Sequence, residues 1–155
     1  MSVGLRSLVM YNLSIMQISI YTDGGSRGNP GHSGYGLVIY DDNNKIIFQE
    51  SKYLGTKTNN EAEYSGLIGA LNWVNDNQNS LKISQVNFYA DSQLMIRQMQ
   101  GLYKVKAPNL IPIFQQAKKL INLISSPIVF KDVRRDFNQL ADQLANEAMD
   151  KKSNP

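Results

Sequence analysis

Four carboxylates stand where an oxygen-ligand metal site could be built: Asp23, Glu63, Asp91 and Asp142. Asp23 follows the strand-like run Gln17-Ile18-Ser19-Ile20-Tyr21-Thr22, and Asp91 ends a second such run, Val86-Asn87-Phe88-Tyr89-Ala90. Glu63 lies at the start of an amphipathic helix, within Thr58-Asn59-Asn60-Glu61-Ala62-Glu63. Asp142 sits inside Asn138-Gln139-Leu140-Ala141-Asp142-Gln143-Leu144-Ala145-Asn146. Acids at strand ends and helix starts can converge on one spot, where their repulsion is costly unless cations lie between them. That is how a protein builds a site for Mg²⁺.

Other chemistries are short of residues. There is no cysteine, which removes disulfides, thiolate metal sites and cysteine nucleophiles. The one histidine, His32, lies in a Gly/Pro-rich loop and is assigned no role; multi-histidine zinc sites are excluded. No apolar stretch reaches the about 20 residues of a membrane span. The expectation is a soluble, cytoplasmic protein. Net charge is +3 with a pI near 9.1, a mild bias towards a polyanionic partner.

The chain length of 155 residues suits one domain. Residues 17–22 read as a first strand, ended by the turn-rich Gly24-Gly25-Ser26-Arg27-Gly28-Asn29-Pro30-Gly31. Residues 34–40 and 45–54 read as two more strands, joined at Asp41-Asp42-Asn43-Asn44 by a hairpin signal. From Thr58 the period changes: Ala62, Leu67, Ala70, Leu71 and Val74 form one helical stripe, up to about Asn77. Residues 85–90 form a strand, and Ser92 begins a short helix with Leu94, Ile96 and Met99 on it. Ile111, Phe114, Ala117, Leu120, Ile121 and Ile124 mark the next helix, residues 128–133 a fifth strand, and residues 138–151 a final helix.

Three antiparallel strands followed by strand–helix alternation predict an α/β fold: a mixed five-stranded sheet flanked by helices. Ligand sites in such sheets form at the carboxyl ends of the parallel strands, where the topology switches. Asp23 and Asp91 both stand at such ends.

Each motif also has a plain reading. The glycine-rich loop opens no helix and lacks a Gly-Lys-Ser/Thr signature, so it is a hairpin turn or a bare backbone approaching a nucleic acid. Thr58 and Glu61 have capping-box spacing, as do Asn60 and Glu63, and spacing leaves open which glutamate is the functional one. Asp91 could cap the helix that follows, and Asp142 alone is an ordinary surface acid. Tyr64, Trp73, Phe114 and Phe137 read as core rather than as base-stacking platforms. Lys104, Lys106, Lys118 and Lys119 form a solvated face or a phosphate-contacting patch.

Taken together, the motifs carry more. Thr22-Asp23-Gly24-Gly25-Ser26-Arg27-Gly28-Asn29-Pro30-Gly31, Gly34-Tyr35-Gly36, Thr58-Asn59-Asn60-x-x-Glu63, Ala90-Asp91-Ser92-Gln93 and Asn138-x-x-Ala141-Asp142-x-Leu144-Ala145 resemble ribonuclease HI in order and spacing, from about Met16 to Met149. The resemblance places Glu63 at the family's catalytic position and leaves Glu61 as the cap. It implies the ribonuclease H-like fold. It also implies the reaction, endonucleolytic cleavage of the RNA strand of an RNA–DNA hybrid that leaves 5′-phosphate and 3′-hydroxyl ends.

By the same resemblance, two Mg²⁺ ions about 4 Å apart, with Mn²⁺ a possible substitute, activate water and stabilise the leaving oxygen. Asp23 would bridge them, Asp142 would help hold the ion that activates water, and Glu63 and Asp91 would hold the ion facing the departing oxygen. Gly24, Gly25, Ser26, Asn29, Asn59, Asn60 and Gln93 match positions that contact the hybrid's minor groove. Thr58 and Asn29 match a pocket for a DNA-strand phosphate, and Asn138 joins the expected substrate contacts. These contacts are largely indifferent to base sequence.

The chain departs from the best-known bacterial pattern in two places. Where that pattern has a mobile histidine loop, this chain reads Val133-Arg134-Arg135-Asp136-Phe137-Asn138, so Arg134 or Arg135 is expected to serve product release or phosphate contact. Arginine is no proton shuttle at neutral pH. The stretch from Gly101 to Asn109 holds only Lys104 and Lys106, too little for a large basic protrusion. The competing readings are a nucleic-acid-binding module with weak or lost catalysis, and a nuclease acting on double-stranded RNA or DNA through the same fold. Keeping four repelling acids argues against the first. Residues 1–15 read as a disordered extension or a stretch ahead of a functional start at Met16, residues 16–151 as the single domain, and residues 152–155 as a tail. A monomer is expected.

Overall fold

Alternation within the first and fourth strands decides where the acids point. In the computed structural model, which describes residues 15–151, β1 (Met16–Arg27) buries Ile18, Ile20 and Thr22 on one face of a sheet, which turns Asp23 to the other. In β4 (Ile83–Ala90), Val86, Phe88 and Ala90 are buried in the same way, and Asp91 follows at the strand's carboxyl end.

The remaining elements are β2 (Gly31–Tyr40), β3 (Ile46–Lys57), α1 (Asn59–Asn77), α2 (Gln93–Met99), α3 (Ile111–Leu123), β5 (Ile128–Asp132), a 3₁₀ turn (Arg135–Phe137) and α4 (Gln139–Lys151). The sheet order is β3-β2-β1-β4-β5. β1 pairs antiparallel with β2, and β2 with β3; β1 and β4 are parallel, as are β4 and β5. This is the mixed five-stranded sheet expected from the sequence. Between β1 and β4 the parallel register brings Thr22 beside Ala90, so Asp23, still within β1, and Asp91, just past the end of β4, stand at the same level.

The larger core lies between the sheet and the layer of α1 and α3, around Ile18, Ile20, Leu37, Leu67, Leu71, Val86 and Phe88. A smaller one, Val38 with Ala141 and Leu144, seats α4 on the opposite face. Among the described residues, no helix is long and apolar enough to cross a membrane. The expected extension falls outside the described residues up to position 14, and the expected tail does so entirely.

Two expectations need correction. β1 does not end before the glycines: it continues through Arg27, with Gly24 opposite Tyr35 and Arg27 opposite His32. Pairing with β2 holds this glycine-rich segment extended, and the turn shrinks to residues 28–30. Phe137, expected in the core, lies in the 3₁₀ turn and is 66% exposed, because the last helix begins two residues later.

Candidate active site

The glutamate ambiguity is resolved by hydrogen bonds. The Thr58 hydroxyl accepts from the Glu61 backbone N–H at 3.1 Å, and the Thr58 N–H donates to Glu61 Oε1 at 2.8 Å. This capping box occupies Glu61 and, chiefly through the Thr58 backbone, holds its carboxyl below its usual range. Glu63, two residues further along α1, is left to face β1. Likewise Ser92, not Asp91, caps α2: its hydroxyl accepts from the Met95 N–H at 3.2 Å.

Close backbone approach then brings the elements together. A Cβ on Gly24 would stand 2.4 Å from the Ala62 carbonyl carbon and 2.6 Å from the Glu63 nitrogen, so α1 can cross β1 here only over glycine. Gly36, the β2 partner of Asp23, does the same for α4: a Cβ there would lie 2.1 Å from the Ala141 carbonyl oxygen. Asn138, only 2% exposed, donates its side-chain amide to the Thr22 carbonyl at 2.8 Å and accepts the Asp142 backbone N–H on its own carbonyl at 3.1 Å. The start of α4 is thereby tied to the middle of β1, and Asp142 to the neighbourhood of Asp23.

Asp23, Glu63 and Asp91 each offer one carboxylate oxygen within 4.8 Å of the others. Asp142 stands next to Asp23, where it adds charge and a side-chain hydrogen bond. Burial, then the Asp91 and Asp142 carboxylates, pushes Asp23 up to about 8. Burial, then Asp23 and Asp91, drives Glu63 well above its ordinary value, and burial raises Asp91. The cation of Arg135, whose Nε lies 3.9 Å from Asp91 Oδ2, pulls against all three shifts.

A metal ion fits this donor set. Glu63 Oε1 and Asp91 Oδ2 are buried without a hydrogen-bond partner, a costly arrangement for carboxylate oxygens that a metal ion would relieve. All the converging groups are hard carboxylate oxygens, the ligand type suited to Mg²⁺ or Mn²⁺ rather than to softer ions.

An open cleft of about 430 Å³ adjoins the acids and is lined by Asp23, Glu63, Asp142, Gly24, Gly25, Ser26, Asn59 and Arg135, with Arg27, Asn146 and Met149. Ser26 donates its N–H to Asn59 Oδ1 at 2.8 Å, and Asn59 donates its own to Asn29 Oδ1 at 2.9 Å, locking the β1–β2 turn to the start of α1. Asn60 and Gln93 are exposed outside that lining, and Gln93 donates to Asp132 at 3.2 Å. Asn138, expected to touch substrate, is instead buried as a tie. The two arginines separate: Arg135 faces the acids, whereas Arg134 pairs with Asp136 at 3.2 Å and lies over the Phe137 ring. The lysines at 104, 106, 118 and 119 are all exposed.

Sequence reasoning missed Asn146, and it took in Arg27 only as part of the Gly24 to Asn29 loop. Asn146 donates to Asp142 Oδ2 at 3.3 Å and accepts from Arg27 at 3.2 Å. Its position four residues after Asp142 on a helix was the available signal.

A family model described as reverse transcriptase-like matches residues 21–148. The bifunctional protein Rv2228c of Mycobacterium tuberculosis is 42% identical over 136 residues, covering 87% of this chain and 36% of the relative. The chain thus spans little more than a third of the length of that curated relative. LC11-RNase H1, from a compost metagenome and solved in complex with an RNA/DNA hybrid, is 43% identical with a TM-score of 0.83, covering 87% of this chain and 98% of that one. RNase H1 from the archaeon Halobacterium salinarum is 34% identical with a TM-score of 0.79, over 86% and 98% of the two chains.

Proposed function

Because the chain belongs to the ribonuclease HI family, we infer that it is an endonuclease that hydrolyses the RNA strand of an RNA–DNA hybrid, leaving 5′-phosphate and 3′-hydroxyl ends. The observation that carries this reading is the convergence of Asp23, Glu63 and Asp91 within 4.8 Å, two of them with buried, unpartnered oxygens, beside an open cleft that Asp23 and Glu63 line. The solved relative LC11-RNase H1 binds such a hybrid, which supports the choice of substrate.

The proposed cofactor is a pair of Mg²⁺ ions, replaceable by Mn²⁺, held by Asp23, Glu63, Asp91 and Asp142. Bound there, the metal supplies an activated water and neutralises charge on the leaving oxygen. The chain's own residues do the rest. The Thr58–Glu61 capping box fixes the first turn of α1 and so the direction of Glu63. Asn138 holds the start of α4 against β1, keeping Asp142 beside Asp23. Arg135 places a cation at the cleft wall, where it attracts the phosphate backbone and tempers the acids' repulsion. Gly24 and Gly25 present bare backbone to the substrate, and the linked set Ser26, Asn59 and Asn29 gives a pre-ordered polar surface for the minor groove. Asn60 and Gln93 extend that surface, and Thr58 with Asn29 would grip a DNA-strand phosphate. The proposed enzyme works as a monomer in the cytoplasm.

The test is a cleavage assay on labelled RNA–DNA hybrid, double-stranded RNA and double-stranded DNA, each with Mg²⁺. Cleavage confined to the RNA strand of the hybrid is expected. Cutting of double-stranded RNA alone would replace this reading with that of a different nuclease, and binding without cutting would make the chain a binding module.

A further inference from the structure

Next to the acids, on the same sheet face, lies a second cavity that the proposed chemistry does not use. Two residues before Asp23 on β1 comes Tyr21, and two before Asp91 comes Tyr89, about 7 Å down the strands. The two rings stack at 4.8 Å between centroids, and Tyr40 meets Tyr21 edge-on at 5.7 Å. Across the sheet the row continues to Lys131, the exposed register partner of Tyr89. α4 packs on β1, β2 and β3, so the β4–β5 half of this face carries no helix among the described residues.

The cavity, about 280 Å³, has Tyr21, Tyr40 and the exposed Phe137 among its walls, and Asn44 and Gln139, two carboxamide residues, line it as well. Its volume is near the lower end of small-ligand sites, about 300 Å³. A large aromatic left 66% exposed at such a mouth, under the Arg134 guanidinium at 5.8 Å, has solvated an apolar ring that the core could have taken. Flat aromatic walls with carboxamide donors and acceptors and nearby cations match one ligand chemistry: a nucleobase with its phosphate.

We propose that this pocket takes an unpaired nucleobase of a nucleic-acid strand that passes the acids, so that the protein grips hybrids carrying a single-stranded overhang more tightly than blunt ones. The inference rests on the functional reading above. The base stacks on Phe137 against the Tyr21–Tyr40 wall, Asn44 and Gln139 bond its edge, and Arg134, which lies over the Phe137 ring and exchanges its exposed Asp136 partner, attracts its phosphate.

Anisotropy titrations with labelled RNA–DNA hybrids, Ca²⁺ replacing Mg²⁺ to slow turnover, test it. Blunt hybrids are compared with hybrids bearing a short RNA overhang at the 5′ or the 3′ end. The unmodified protein should bind one overhang form about fivefold or more tighter than the blunt form. Phe137→Ala should abolish that preference while leaving blunt binding unchanged, and Phe137→Trp should keep it. Equal affinity for blunt and overhang hybrids, with blunt hybrid still bound and cleaved, overturns the pocket alone. Failure to bind or cleave blunt hybrid overturns the functional reading, and this inference with it.

Discussion

The Asn138 side-chain amide donates to the Thr22 carbonyl at 2.8 Å, joining the start of α4 to the strand residue that precedes Asp23. Both groups are buried, so the bond has no water to replace it. Asn138→Ala should therefore cost about 1–3 kcal/mol in stability. With Asp142 no longer held beside Asp23, cleavage should fall about tenfold or more. Denaturant unfolding and hybrid cleavage measure the two effects. A variant of normal stability and activity would show that α4 needs no such tie.

The two glutamates of α1 should part company on substitution. Glu61→Gln keeps an acceptor for the Thr58 N–H and should cost at most about 1 kcal/mol, with activity retained. Glu63→Gln removes charge from the acid cluster, and cleavage should drop at least about a hundredfold. Side-by-side kinetics decide this, and the reverse pattern would exchange the roles of cap and ligand.

The split between these glutamates also shows what the sequence could convey. Period and turn signals outlined all five strands and four helices, because alternation and helical stripes are local properties. The acids that follow buried runs were legible for the same reason, but only Asp91 stands at a strand's carboxyl end: Asp23 lies within β1, at the level where the parallel pairing with β4 stops. Glu63 and Asp142 were not separable from caps and surface acids without the family resemblance, since their placement depends on close contacts at Gly24 and Gly36 between distant segments. Pairing with β2 likewise overrode the turn propensity of Gly24 and Gly25 and lengthened β1. Phe137 was misplaced because one residue beside a helical stripe says nothing of the turn that precedes the helix.

Gly24 offers a steric test of that close contact. Gly24→Ala sets a methyl group against the Ala62 carbonyl, backbone that can yield only if α1 shifts. About 1–3 kcal/mol of destabilisation is expected. A displacement of Glu63 by about 1 Å is enough to lower turnover about a hundredfold. Thermal unfolding with hybrid cleavage provides the check, and an active variant of unchanged Tm would contradict the packing.

The metal-free protein should lose stability as pH rises. Asp23 ionises near 3.9 when unfolded but is pushed up to about 8 in the fold, so its neutral form favours the folded state. That contribution is complete below about pH 4 and is lost as pH rises through about 8. Glu63 and Asp91, also raised, act in the same direction. With chelator present, Tm should be lower at pH 9 than at pH 5, and Mg²⁺ should restore it at pH 9. Asp23→Asn should stabilise the metal-free protein at pH 9 by roughly 1–3 kcal/mol while abolishing cleavage. A Tm that rises with pH in chelator would contradict the repulsion among the acids.

Arg135 carries the last test, because its cation faces the acids from the position where the better-known pattern has a histidine loop. Its Nε lies 3.9 Å from Asp91 Oδ2, and its charge lowers the proton affinity of Asp23, Glu63 and Asp91 alike. Removing it in Arg135→Ala raises all three, so the acids stay protonated to a higher pH. The acidic limb of the pH–rate profile should then move upward. Arg135→Lys, which keeps the charge without the planar fork, should recover part of the shift. Turnover at saturating substrate, followed as product accumulates, separates this charge effect from one on product release. An unmoved acidic limb with slower late turnover would assign Arg135 to release of the cut strand instead.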